Sequence, residues 1–303
     1  MANSPAPDVQ SQRQTSGYTY ALAAYTFWGF APIYFVYVSF ALPLEVLAHR
    51  VVWSVPLVAL LITIARLWCV IRSMPRRTYF TLAVCAFLLG INWLTFIYTV
   101  QAGRIVETSL GYFMNPLVSI LLGWAFLSER LRAWQWAAVS MAAAGVVGEL
   151  VTAGELPWLG LLLAFSFGFY GLLRKQLSLP SSVGLGVETM MVVPFAIGYL
   201  IFMSTSADMP ARNVDEILLL GLGGLVTVLP LLWFASAAIR IPLTTLGFFQ
   251  YLAPSISLVL GVFVYDEAVT TGRWFSLSLI WFALLMFSLE SLYHRHVSLK
   301  KSV

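Results

Sequence analysis

Ten apolar runs, each near the roughly 20 residues that an α-helix needs to cross about 30 Å of hydrocarbon, follow one another through residues 18–293. They occupy approximately 18–38, 44–65, 79–100, 105–126, 134–151, 156–173, 183–202, 217–239, 243–264 and 274–293. No other feature limits the fold so tightly. Inside hydrocarbon every backbone N–H and C=O must be paired within the chain, and a helix does so within a single segment. With 60% hydrophobic and 10% charged residues and a mean hydropathy of +0.87, too little polar surface is left to cover a water-soluble globule. The expected fold is an all-α integral membrane protein.

Residues 1–17, MANSPAPDVQSQRQTSG, are polar and rich in Pro, Ser and Gln, and they lack the basic, apolar and small-residue succession of a cleaved leader. They read as a disordered tail ahead of an uncleaved first span, with a second short tail at 294–303. Cys69 and Cys85 show no metal-type spacing and no disulfide framework. Basic loops stay on the cytoplasmic side during insertion. With the N-terminus inside, 13 of the 17 Lys and Arg residues fall on the inner side and three on the outer side (Arg104, Arg212, Arg273), with Arg50 alone within a span. Both termini are therefore expected in the cytoplasm. A net charge of +4 and a pI near 9.1 reflect this asymmetry and not a nucleic-acid partner.

The chain repeats itself. An offset of 136 residues sets Thr108, Leu110, Gly111 and Phe113 on Thr244, Leu246, Gly247 and Phe249. An offset of 138 then sets Pro116, Ser119, Leu122, Gly123, Glu129, Trp136 and Ser140 on Pro254, Ser257, Leu260, Gly261, Glu267, Trp274 and Ser278. Spans four and five thus match spans nine and ten. Five crossings per copy is an odd number, so the second copy enters from the opposite face. The expected domains are two inverted five-helix repeats, 18–151 and 156–293. Two similar bundles of opposite orientation can exchange shapes about a midplane site, which is the logic of alternating access. Prolines inside the runs free carbonyls and bend helices. The matched pair Pro116 and Pro254 is the expected hinge.

Ionisable and amide groups inside spans mark candidate sites, because an ionised side chain at the bilayer centre costs about 2.5–3.5 kcal/mol on insertion scales without a partner. Glu45 and His49 stand four apart on one face of span two. Arg50 lies roughly 9 Å below the span's outer end at 1.5 Å per residue, within snorkelling reach of headgroups. One reading is therefore an interfacial anchor beside a Glu45/His49 pair; the other is substrate gating or proton coupling by Glu45, His49 and Arg50, with Glu188 of span seven as a mirror of Glu45. Asn92, Asn115 and Gln250 either fasten helices or present donors and acceptors to a solute. Trp28, Trp93, Tyr112, Tyr170 and Trp233 lie in span interiors, away from the interfacial belts, and suit a cavity for planar or amphipathic molecules. Glu129 and Glu267 follow span ends, where a carboxylate meets the positive end of a helix dipole.

The segments LPLEVLAHRVVWS, INWLTFIYTVQAGRIVETSLGYFMNPLVSILLGWAFLSERL, AFSFGFYGLLRK and TVLPLLWFASAAIRIPLTTLGFFQYLAPSISL resemble the RarD subfamily of EamA-type carriers in the drug/metabolite transporter superfamily. The resemblance covers nearly the whole chain after the first tail. It implies ten helices as two inverted five-helix repeats, a bacterial inner-membrane location, and transport of small organic solutes or drugs. In related carriers spans one, three, four, six, eight and nine form the cavity. That implies Trp28, Asn92, Trp93, Tyr112, Asn115, Tyr170, Trp233 and Gln250 as the substrate-binding set, ahead of Glu45, His49 and Arg50. No HExxH, GxSxG or Walker-type motif is present, so neither an enzyme nor a nucleotide-driven pump is expected, and neither a cofactor nor a metal. The expected partners are a small-molecule substrate and the lipid bilayer. The alternative is a membrane receptor or scaffold that binds a small molecule without moving it.

Overall fold

The structure is a computed structural model and describes residues 7–101, 105–153, 158–205, 212–264 and 271–301. Twelve helices make up the described residues: α1 (Pro7–Tyr37), α2 (Pro43–Ile64), α3 (Trp68–Ser73), α4 (Arg76–Gln101), α5 (Ile105–Phe126), α6 (Ala133–Ala153), α7 (Trp158–Leu177), α8 (Ser181–Ser204), α9 (Val214–Ala238), α10 (Leu243–Gln250), α11 (Leu252–Val264) and α12 (Thr271–Lys301). Among those residues there is no strand. Of the helical stretches described, 43–64, 76–99, 181–204, 214–238 and the α10–α11 stretch 243–264 are long and apolar enough to cross a membrane, and α5 and α12 contribute shorter apolar segments, Tyr112–Phe126 and Trp274–Glu290. Phe80, Trp158, Phe195 and Phe263 are each more than 70% exposed, as expected of a bundle whose outer surface meets lipid and not water.

Local chemistry sets the helix ends. Pro43 opens α2 at a position whose N–H needs no partner, and Glu45 folds back to accept from the Leu42 N–H at 3.3 Å. Asn213 and Glu216 exchange side-chain bonds to backbone N–H groups at the start of α9, at 2.8 and 3.0 Å. After α2 the chain turns through Arg66 at φ 54°, and the Leu67 N–H closes on the Ile62 carbonyl at 3.0 Å.

Three expectations need correction. The helix α1 begins at Pro7, so residues 7–17 are helical and not a disordered tail; Arg13 donates to the Ile239 carbonyl at 3.3 Å and ties this extension to the end of α9. The final helix likewise continues to Lys301, through the stretch expected as a second tail. Span nine is divided at Tyr251, because Pro254 has no N–H to offer the Gln250 carbonyl four residues earlier. Its match Pro116 sits within an unbroken α5. The repeat position Glu267, the loop residue Arg104, and the side chains of Thr108, Leu110 and Gly111 lie outside the described residues.

Helices from the two ends of the chain interleave. The most extensive contacts join α5 with α7, α6 with α12, α2 with α9 and α8, α1 with α9 and α11, α10 with α5, and α4 with α7 and α8. Glycines permit the closest of these. A Cβ on Gly29 of α1 would stand 2.6 Å from Ile256 of α11, and one on Gly168 of α7 would stand 2.7 Å from Val118 of α5. Gly224 lets α9 approach the Trp53 backbone of α2, where a Cβ would come within 2.6 Å.

Candidate functional site

The approach of α9 to α2 decides the fate of Arg50. The residue is 4% exposed and does not snorkel. Its Nε donates to Thr227 Oγ1 at 2.8 Å, and its guanidinium carbon lies 4.5 Å from the Trp93 ring and 5.2 Å from Phe35. A Cβ on Gly223 would strike the Arg50 side chain at 2.7 Å, so the glycine admits it. Buried Nη1 has no hydrogen-bond partner among the described residues. A run of edge-to-face rings, Tyr34–Phe35–Phe96–Tyr112, with centroids 5.3–5.6 Å apart, joins α1, α4 and α5 beside it.

Thr227 and Trp93 also line a small cavity with Ser54, Gly90, Glu188 and Thr189, between α2, α4, α8 and α9. Its volume is about 50 Å³. Ligand pockets usually measure about 300–1,000 Å³, so this one is closed to a drug-sized solute. On the wall of this cavity, Glu188 accepts from Tyr170 Oη at 3.3 Å and from Arg174 Nη1 at 3.4 Å, while Arg174 Nη2 donates to the Ser181 carbonyl. Arg174 and Glu188 are both about 2% exposed, a pair held out of water that loses much if either partner is removed. Gly184 leaves room here for the Arg174 guanidinium, which any Cβ at that position would displace.

The remaining expected site residues divide. Trp28 joins a nucleus with Phe167 and Phe234, at 5.7 and 5.9 Å, and Tyr170 stacks on Phe234 at 5.8 Å. Trp233 meets Phe27 edge-on at 6.0 Å and packs against the same nucleus. Asn92 fastens α4 to α7, donating to the Leu163 carbonyl at 2.9 Å and to Ser166 Oγ at 3.0 Å. Gln250, at the break between α10 and α11, bonds Ser119 of α5 through Nε2 at 2.9 Å and Oε1 at 3.2 Å. Asn115 is buried, with no partner for its Oδ1 among the described residues.

Glu45 does not pair with His49. It grips Arg212 at 3.0 and 2.9 Å, a bidentate bond to the connection ahead of α9, and buried His49 Nδ1 is left without a partner among the described residues. Glu129 caps a helix as expected, but that helix is α10 in the other half: it accepts from the Leu243 and Thr244 N–H groups at 2.7 and 2.8 Å, with Lys175 at 3.7 Å. Three residues escape a reading of the sequence. Arg174 looks like a loop residue at the end of its apolar run, Thr227 looks like filler, and Gly184 resembles any small residue in a membrane helix. The spacing of Tyr170 and Arg174, one helical turn apart in SFGFYGLLRK, is the signal that could have found the first. Among the described residues no His, Cys, Asp and Glu cluster could hold a metal.

A helical bundle apolar on its outside, with charged and amide groups along an interior seam, defines the class of multi-pass membrane proteins that includes the solute transporters. Residues 15–150 match the EamA-like transporter family. An uncharacterized transporter of Vibrio cholerae is 45% identical, covering 96% of this chain and 97% of the relative. A protein named RarD in Escherichia coli (strain K12) is 42% identical, over 94% of this chain and 97% of the relative. A chloramphenicol-sensitive protein RarD of Pseudomonas aeruginosa is 30% identical, over 82% and 85%. A solved crystal structure superimposes with a TM-score of 0.70 over 91% of this chain and 98% of its own, at 18% identity, and so shares the fold. The chain belongs to the EamA-like transporter family, as a RarD-type member of the drug/metabolite transporters.

Proposed function

We propose that the protein is a secondary carrier of small organic metabolites or drugs, working by alternating access in a bacterial inner membrane with both termini in the cytoplasm. One observation carries the mechanism. When α10 and α11 are counted as one span, α1, α2, α4, α5 and α6 correspond in order to α7, α8, α9, α10–α11 and α12. Under that exchange the packing of α1 on α9 becomes that of α7 on α4, α2 on α9 becomes α8 on α4, and α1 on α11 becomes α7 on α5. The pairs α2 with α8, α5 with α10, and α6 with α12 map onto themselves. The close approaches obey the same rule, since the 138-residue offset carries Val118 onto Ile256 and an offset of 139 carries Gly29 onto Gly168. A bundle built from two interchangeable halves supports a rocking cycle. Its interior cavity of about 50 Å³ is too small for a drug-sized solute, so the path must widen during that cycle.

Within this reading Trp28, Trp93, Tyr112, Asn115, Tyr170, Trp233 and Gln250 face or border the path that opens, and Asn92 holds α4 on α7. Pro254, at the α10–α11 joint, is the hinge. Purified protein in liposomes tests the proposal, using solutes whose levels differ between overproducing and deleted cells. Counterflow above empty vesicles is the expected result. Binding without flux under any imposed gradient points instead to a receptor.

A further inference from the structure

The interior charges do not balance locally. Four acids in the bundle already have a cation: Glu45 holds Arg212, Glu188 holds Arg174, Glu129 has Lys175 beside the α10 N–H groups, and Glu290 holds Arg132, while Glu216 is taken up in the cap of α9. Arg50 has no carboxylate among the described residues. Its Nε is taken by Thr227, aromatic rings stand against the guanidinium, and enclosed Nη1 has no acceptor there. The 138-residue offset that aligns Pro56 with Pro194 places Arg50, and not Glu45 as expected, on Glu188, so the two halves set opposite charges at equivalent points, and one of those charges is already neutralised. Beside Arg50, the cavity bordered by Trp93 and Thr227 has open space at Gly90, where an added Cβ would meet nothing within 4 Å.

We propose that Arg50 is the anion-binding group of this carrier and that its substrates are organic monoanions, the carboxylate taking the Nη1 edge and a flat apolar body lying against Trp93. The proposal rests on the carrier reading for the word substrate, but not for the site itself. A planar guanidinium with an unpartnered Nη1 group donates to a carboxylate in its plane, and the hydrogen bond is charge-assisted in a water-poor setting. An uncompensated cation here matches one negative charge, because the Glu188 carboxylate on the same cavity is already held by Arg174. The cavity admits a small polar group and no more in the closed form, so the apolar body enters only as the helices part.

The test compares benzoate, phenylacetate and cinnamate with benzamide, phenylacetamide and cinnamamide, which keep the shape and lose the charge. Binding to the purified protein is read by thermal unfolding, and transport by counterflow in liposomes. At least one acid is expected to stabilise the protein while its amide does not. Arg50→Met should weaken that binding by at least about tenfold, the equivalent of one charge-assisted bond, with Arg50→Lys between it and wild type. Gly90→Leu, which fills open space and leaves the charge in place, should also abolish it. Should Arg50→Met not fold, the acid-versus-amide comparison and Gly90→Leu decide. The proposal is overturned if no acid stabilises, if amides match acids, or if Arg50→Met or Gly90→Leu binds as wild type does. Arg50-dependent binding without flux sinks the carrier reading and leaves the site standing. Flux of a neutral or cationic solute that ignores Arg50 does the reverse.

Discussion

Asn115 and Gln250 look alike in sequence, one amide in each half, yet their surroundings predict different outcomes for the same substitution. Gln250→Leu strips Ser119, which is 1% exposed, of both its bonds to the amide, and an unpaired buried hydroxyl costs about 1–3 kcal/mol. Asn115→Leu removes a carbonyl that has no partner among the described residues, so folding is held while transport falls. Thermal unfolding in detergent beside counterflow distinguishes the two; a Gln250→Leu protein as stable as wild type would contradict the structure. Glu45→Ala and Arg212→Ala should each destabilise by roughly 1–3 kcal/mol through the orphaned partner, and the double variant by less than their sum. A double-mutant cycle on unfolding temperature reads the coupling. At this scale the sequence was informative about which residues are unusual and poor at naming their partners. Helical spacing made Glu45 and His49 neighbours, but the true partner comes from 167 residues away. Depth along span two suggested that Arg50 could reach headgroups, whereas the rings of α1 and α4 close over it.

Whole helices were easier to foresee, because hydrocarbon thickness fixes their length in advance. The exceptions have local causes. The prolines at 116 and 254 are matched in the repeat, and only the second breaks its helix, which shows that neighbours decide whether a freed carbonyl is tolerated. Glycines give the sharper test of how elements meet. Gly168→Ala drives a methyl to 2.7 Å from Val118 Cγ1 and should cost about 1–3 kcal/mol by overpacking; Val118→Ala in the same chain should restore much of it. Gly29→Ala should not be rescued by Ile256→Ala, because the Ile256 Cβ itself stands at 2.6 Å and only glycine at 256 makes room. Expression of monodisperse protein and its unfolding temperature measure both pairs. Rescue by the wrong partner would mean that α1 and α7 dock elsewhere.

For the molecule as a whole, the doubled motif and the basic-residue count predict orientation, and the predicted orientation is open to chemical labelling. Ser39, between α1 and α2, and Cys69, on α3, are both exposed and lie at opposite ends of α2. In spheroplasts a membrane-impermeant maleimide should label Ser39→Cys in a background lacking Cys69 and Cys85, and should reach Cys69 of the native chain only after permeabilisation. The opposite pattern inverts the topology. The interleaving of the halves was not legible from one sequence, since the repeat relates residues within each copy and is silent on what touches across copies. Glu129 makes the point concrete. The first turn of α10 stays incomplete until a carboxylate made more than a hundred residues earlier arrives from beyond the end of α5, so the early-synthesised half must wait in the bilayer for its counterpart. A chain severed between α6 and α7 should then recover activity only when both fragments are produced in one cell, neither being a finished object by itself.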